Sequence, residues 1–484
     1  MRTHYKTYKT QMTQMKQIFT DFFTGKIRVY PSNLCHPRSI LLIFFSLVVT
    51  NVDAAGWKAG IAKTVITPDE NIWMAGYAAR TRPAEGKIHD LWAKALALED
   101  SLGNRSVLVT LDLLGLSKPV SDRIRERIKA DLGLTKDRII LNSSHTHSGP
   151  VLVGTLVDIY PIDVDKDQGI IRYTALLETK IVQLVSDAFK TMSPAVLYAQ
   201  NGMTRFQMNR RNNTEQTLIQ QSELKGPNDF AVPVIKVADP DGNIRAIVFG
   251  YACHPVTLDG YDWCGDYPGY AQIELEKWYP GAVAMFFAGS GADQNPMPRR
   301  TVPLAKQHGI TLAAAVDRVL QEKMRYLSPV LLAAYTEIDL PLTAPPTKEE
   351  LAKIIEQDNV AYFKRWASRM LEQMAKGQEP VKSCPYPLQI WNIGGQPLLS
   401  LGGELVIEYA IGFKRIFGQD IFVMGYSNDV PSYIPSVTIL REGGYEGDSS
   451  QRVYGLPSKW TEEIESMIYQ RMRQLSVLVG VKEK

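Results

Sequence analysis

Cysteine and histidine are scarce in this chain, four and seven among 484 residues, and each scarcity narrows the possible chemistry. Cys35 lies in the N-terminal stretch, which leaves Cys253, Cys264 and Cys384 in the body of the chain. An odd count allows at most one internal bridge, with Cys253 and Cys264 the nearest pair, and gives no disulfide framework. A strong charge excess is also missing, since the formal net charge is +3. Even that is local: residues 1–54 hold seven Lys/Arg and two Asp/Glu, and removing these from totals of 54 and 51 leaves 47 basic against 49 acidic residues. Nucleic-acid binding is excluded on that balance. Heptads, fixed-period repeats and low-complexity runs are absent, which excludes coiled coils, solenoids and fibrous arrays. With 45% hydrophobic and 22% charged residues the composition is that of a globular protein able to build a large core.

The N-terminal stretch has its own pattern. Basic residues up to Arg38 precede ILLIFFSLVVT at 40–50, and VDAA at 52–55 offers small residues for cleavage. This is the pattern of an export signal. The uncharged segment from Ser39 to Val52 is 14 residues long, short of the roughly 20 that cross a bilayer as a helix. We therefore expect residues 1–54 to be a signal region, with a start at Met15 as one alternative, and a secreted or periplasmic protein. An N-terminal anchor is the weaker expectation.

From residue 55 onward apolar strand-like runs alternate with amphipathic helical ones, which predicts an α/β fold: a mixed sheet flanked by helices in one large domain, 55–484. SVLVTLDLLG at 106–115 predicts a buried strand and SKPVSDRIRERIKADLGL at 117–134 the helix after it, with Pro119 in its first turn. A second strand at 139–141 then ends in SSHTHSGP, 143–150. Similar strand-then-polar-loop figures recur at 246–255, 282–296, 397–404 and 420–429. Such strand ends are where α/β sheets place their chemistry. Glu404 falls near a predicted helix start, and 343–378 predicts one or two exposed helices forming a surface insertion.

Five histidines remain after the leader, and three of them, His145, His147 and His254, follow strand-like runs. In extended chain, residues i and i+2 point the same way, so the HTH pair can present two imidazoles to one ion or to an ion and its water. With His254 and the carboxylate of Glu404, the donor set suits zinc and a metal-centred pocket at strand ends. Ser290 in GSGAD is the candidate nucleophile of a rival Ser/His/Asp arrangement, but no G-x-S-x-G elbow accompanies it. Tyr251, Tyr261, Trp263, Tyr267 and Tyr270 cluster around His254 in sequence, either as a platform for an amphiphile or sugar or as ordinary packing.

These motifs in order resemble the neutral/alkaline, non-lysosomal ceramidases over nearly the whole body of the chain. GWKAGIAKTVITPDENIWMAGYA, KIHDLWAKALAL, SSHTHSGP, ACHP, GGE and YEGDSS carry the resemblance. It implies one Zn2+ per chain held by His145, His254, Glu404 and Tyr433, with His147 moving protons and Tyr445 stabilising an oxyanion. It further implies a substrate-contacting arginine at Arg210, with Arg211 the competing choice. Asp293 and Asp266, the latter in GDYPGYA, are implied as substrate-side or orienting residues. The expected reaction is hydrolysis of the amide of ceramide or a related small N-acylated amphiphile, with transient contact to a membrane surface. A zinc esterase, a sugar deacylase and a non-catalytic binding protein are the alternatives.

Three departures bear on substrate. Where the family reads GD-x-SP, this chain has Asn295, which has no nucleophilic hydroxyl. At 433–440, YIPSVTIL lacks the family's Thr-Thr and following acidic pair. Only 37 residues follow Gly447, so the family's C-terminal immunoglobulin-like domain is expected to be missing.

Overall fold

The structure is a computed structural model and describes residues 56–216, 218–220 and 223–484. The expected signal region therefore lies outside the described residues. The described residues all belong to one compact unit. Its centre is a nine-stranded mixed sheet in the order Val283–Ala288, Ile244–Tyr251, Ala231–Ala238, Ser193–Met203, Trp57–Val65, Trp92–Glu99, Arg105–Leu111 and Ile139–Ser143, with Arg325–Leu327 also pairing to Ser193–Met203.

Only the outermost pairs of that sheet are parallel, Arg105–Leu111 with Ile139–Ser143 and Ile244–Tyr251 with Val283–Ala288. Parallel neighbours need a crossover. The helices Lys118–Leu132 and Asp266–Trp278 supply it, so a βαβ unit stands at each edge. The sheet curls enough that the edges meet, the Ala288 backbone N–H donating to Asn142 Oδ1 at 3.0 Å.

Alternation along the strands divides the core. Ala93, Ala95, Val107, Val109, Ile139 and Leu141 face the helices Lys118–Leu132 and Gln168–Lys190. Leu96, Leu98, Leu108 and Ile140 face the other way, against Trp391, Leu398, Phe422 and Met424. These last residues belong to a second, four-stranded sheet, Leu331–Pro341, Ser383–Ile393, Gln396–Leu401 and Phe422–Met424. Its far side is covered by the helices Ile407–Phe417 and Glu463–Leu478 through Phe413, Ile464, Ile468 and Met472. The result is two sheets packed face to face between outer layers of helices. This is the expected α/β class with a mixed sheet, and it carries a second sheet that the sequence reading did not separate.

The 343–378 segment forms two helices, Lys348–Gln357 and Ala361–Ala375, the first opened by a capping box of Thr347 and Glu350. They are docked rather than simply exposed. Trp366 is 1% exposed and its indole N–H donates to the Leu456 carbonyl, while Arg369 pairs with Asp158 at 2.6 Å. Among the described residues, no helix is long and apolar enough to cross a membrane.

Candidate metal centre

Three parallel strand pairs deliver the site. His145 follows Ile139–Ser143, His254 follows Ile244–Tyr251, and Glu404 follows Gln396–Leu401, itself parallel to Phe422–Met424. Asn142 ties the first and third together, its Nδ2 donating to the Gly425 carbonyl at 2.7 Å and to Ser427 Oγ at 3.0 Å. The carboxyl ends of strands from two sheets and both sheet edges thus converge on one point.

At that point one ring nitrogen from each of His145, His147 and His254 lies within 4.8 Å of the other two. His145 Nε2 is 3.1 Å from Glu404 Oε2 and 3.3 Å from His147 Nε2, and His254 Nε2 is 3.4 Å from the same carboxylate oxygen. His145, His254 and Glu404 are 1%, 1% and 2% exposed. Burial in such a place would ordinarily demand hydrogen bonds. Yet His254 Nε2 and Glu404 Oε2 have no hydrogen-bond partner among the described residues. Orphaned donor atoms that face one another, with imidazole and carboxylate chemistry, fit a divalent metal ion.

Backbone carbonyls orient two of the rings. His145 Nδ1 lies 2.6 Å from the Leu114 carbonyl and His254 Nδ1 3.2 Å from that of Gly291. An Nδ1–H donated to each carbonyl leaves the Nε2 lone pair directed at the centre. Burial, reinforced by the His145 ring and by Arg210, pushes the His254 imidazole well below its ordinary range. Burial and the same neighbour do this to His147, with Arg80 and Arg210 adding to it. Both rings are therefore neutral at physiological pH, with their nitrogen lone pairs unprotonated.

The HTH pair does not meet through strand alternation. The strand ends at Ser143, and His145 adopts φ 65°, a left-handed conformation. The two rings stand edge to face with centroids 5.0 Å apart. A single left-handed turn, rather than extended chain, brings the pair together.

Glu404 and Tyr433 are direct partners in the short parallel pairing of Glu404–Leu405 with Tyr433–Ile434. The Tyr433 ring stacks on His254 with an interplanar angle of 9°, and its hydroxyl accepts from Arg210 Nη2 at 3.1 Å. Arg210 Nε also donates to Glu446 at 2.8 Å. Burial works against the Arg210 charge, but Tyr433 and Glu446 outweigh it and hold the guanidinium well above its usual range. Arg211 instead serves Glu442, Glu446 and the Gly443 carbonyl. Tyr445 is 41% exposed at the mouth, its ring edge on to Tyr433 at 5.2 Å.

Asp293 lies buried beneath the site and accepts from the Ile407 N–H at 2.9 Å and Asn209 Nδ2 at 2.8 Å. Burial raises its carboxyl to about 6. Asn295 follows on a short strand paired with Gln207–Asn209, with its Oδ1 buried and unpartnered among the described residues. Asp266 is not brought into the cluster. Its carboxylate accepts from the Leu258 and Tyr267 N–H groups and so braces the loop just after His254.

Ser290 is fully buried and has no hydrogen bond to a histidine among the described residues, so no triad is assembled around it. Cys253, Cys264 and Cys384 are free thiols. Tyr251 and Tyr267 belong to the core, and Trp263 is buried in another part of it. Packing, not a platform, explains these three. Sequence reasoning missed two tyrosines. Tyr454 donates its hydroxyl to Glu404 Oε1, and the Tyr426 ring lies 4.4 Å from that of His145. Tyr426 does end one strand-like run, but nothing in the sequence marks Tyr454.

Residues 57–295 match the family described as neutral/alkaline non-lysosomal ceramidase, N-terminal. The chain is 28% identical over 252 residues to neutral ceramidase A of Dictyostelium discoideum, covering 48% of this chain and 34% of that protein. It is 24% identical over 255 residues to neutral ceramidase 2 of Arabidopsis thaliana, covering 50% and 33%. The matches thus span about a third of the length of these curated relatives. In fold, the chain resembles the crystal structure of neutral ceramidase from Pseudomonas aeruginosa, with a TM-score of 0.70 at 18% identity over 88% of this chain and 74% of that one. A structure described as ceramidase complexed with C2 gives 0.68 at 16% identity.

Proposed function

The chain belongs to the neutral/alkaline non-lysosomal ceramidase family through its residues 57–295, and from that premise we propose that it is an exported, zinc-dependent hydrolase of a linear amide in a ceramide-like, N-acylated amphiphile. The observation that carries this reading is the buried convergence of His145 Nε2, His254 Nε2 and Glu404 Oε2, two of these atoms lacking hydrogen bonds.

Those three side chains would hold the ion, with Tyr433 beside them. A divalent ion bound there supplies Lewis acidity to the scissile carbonyl and acidifies water. His147, neutral and with Nε2 facing the cluster, takes a proton from the attacking water at Nε2 and returns it to the departing amine. Tyr445 donates its O–H to the developing oxyanion. Arg210 fixes the Tyr433 hydroxyl and places positive charge beside that oxygen. Asn295 Oδ1, a buried acceptor without a partner, receives the substrate amide N–H. No nucleophilic hydroxyl is required, so asparagine at 295 is compatible with hydrolysis.

The test is metal analysis of the purified protein combined with product release from ceramides, N-acyl amino acids, N-acetylated sugars and simple esters, with chelator and with zinc restored. Chelator-sensitive release of fatty acid from N-acyl substrates is the expected result. Zinc bound without turnover on any amide would overturn the reading in favour of a binding protein.

A further inference from the structure

Beside the metal centre lies a cleft of about 670 Å³ whose lining is dominated by guanidinium groups: Arg210, Arg211, Arg299 and Arg300, against the carboxylates of Glu215 and Glu446. We propose that this cleft binds an oxyanion on the substrate, a carboxylate or phosphate ester close to the scissile amide, so that the preferred substrate is an anionic N-acyl compound rather than a neutral ceramide. The inference rests on the hydrolase reading above and names its substrate class.

The lining holds four guanidinium groups and two carboxylates, and Glu442 and Asp259 just outside it pair with Arg211 and Arg300. Glu446 is shared, since it pairs with both Arg210 and Arg211. Arg299 reaches Glu215 through Nε alone, and Arg300 reaches Asp259 through Nη1 at 3.1 Å. Asp259 has a side chain 52% exposed, where water weakens its hold. Each of these two guanidinium groups carries further N–H donors besides the nitrogen that meets its carboxylate. A guanidinium fork with free N–H groups suits carboxylate and phosphate oxygens. The hydroxyls of a neutral ceramide offer such a fork no charged partner.

The cleft is also linked to the site through shared residues. Arg210 lines it and at the same time donates to the Tyr433 hydroxyl, whose ring stacks on His254. Tyr445 and the unpartnered Asn295 line it as well. Arg300 is held at φ 89°, a conformation unfavourable for a side-chain-bearing residue, with its N–H donating to the Thr257 carbonyl three residues after His254. An anion seated on Arg299 and Arg300 therefore places a neighbouring amide toward Asn295, Tyr445 and the histidines.

The experiment uses matched pairs on the zinc-loaded protein: N-lauroylglycine with its carboxamide, and a short-chain ceramide with its 1-phosphate. Binding is measured by calorimetry and turnover separately. Each favoured anion is expected to bind and react about tenfold or more better than its neutral twin, chiefly in KM, with the gap narrowing as salt rises. Preference confined to the carboxylate or to the phosphate pair identifies the source of the anion and supports the proposal. In the Arg299→Gln, Arg300→Gln double variant the ratio should fall toward one. Equal binding of both twins by the unmodified protein overturns the proposal, whether or not the variant folds. Selective anion binding with no amide cleaved overturns the hydrolase reading and leaves the cleft assignment standing.

Discussion

At the scale of single residues, His147 differs from its two neighbours in one atom. His145 and His254 have Nδ1 against a backbone carbonyl, whereas His147 Nδ1 is buried with no hydrogen-bond partner among the described residues. Its tautomer is therefore not fixed from behind, which suits a group that takes and returns a proton. His147→Ala should lower kcat about 10²-fold or more while the zinc content stays at one per chain; loss of the metal along with activity would show that His147 is a ligand. Gly76 backs this ring at φ 99°, and a Cβ there would meet His147 Nδ1 at 2.4 Å. Gly76→Ala is expected to displace the imidazole and depress kcat by at least about tenfold, a displacement readable in the His147 ring resonances. Asp293 supplies a pH test. Its folded carboxyl is raised from 3.8 to about 6 by burial, so the native state holds the proton more tightly than the unfolded chain. The associated stability is complete below about 4 and is lost as pH rises through 6, to the extent of about 3 kcal/mol. In the metal-free protein, Asp293→Asn should lack that loss, and parallel stability curves for the two proteins from pH 4 to 7 would refute it.

At the scale of elements, the site depends on segments that must hold still relative to one another. The segment carrying Tyr445 and Tyr454 is backed by the helix Ala361–Ala375, where Trp366 donates to Leu456 and the Arg452 guanidinium lies over the Phe363 ring at 4.6 Å. Trp366→Ala removes a fully buried indole, for which about 3–5 kcal/mol is typical. The expected outcome is early proteolysis in 343–378 and a fall in kcat. Unchanged cleavage and turnover would mean that the helix pair is a passive insertion. That pair was readable in sequence as helical, through Pro345–Pro346 and the amphipathic run, but its docking was not. Trp366 meets Leu456 and Arg369 meets Asp158 across 90 and 211 residues, and no local pattern records such distances.

At the scale of the whole molecule, the candidate metal centre joins strand ends from both sheet edges and from the second sheet, so an ion bound there would tie the layers together. Zinc at about a hundred times its dissociation constant should stabilise the fold by about 2.7 kcal/mol. Chelation should lower the melting temperature and abolish hydrolysis together, and both should return with zinc. A melting temperature indifferent to chelator would remove the metal from the structural account.

The sequence by itself determined the alternation of strands and helices, the export-like leader pattern, and the residues His145, His147, His254 and Glu404 as strand-end groups, because each is written in local periodicity or in a short motif. Tertiary structure alone decided that these ends coincide. Curling of the sheet to bring Asn142 against Ala288, packing of the second sheet on Leu108 and Ile140, and the left-handed turn at His145 are consequences of burying two apolar faces at once. The same packing placed Tyr426 and Tyr454 against His145 and Glu404. It also gathered Arg210, Arg211, Arg299 and Arg300 around one cleft, since residues nearly a hundred positions apart meet only when the layers between them close.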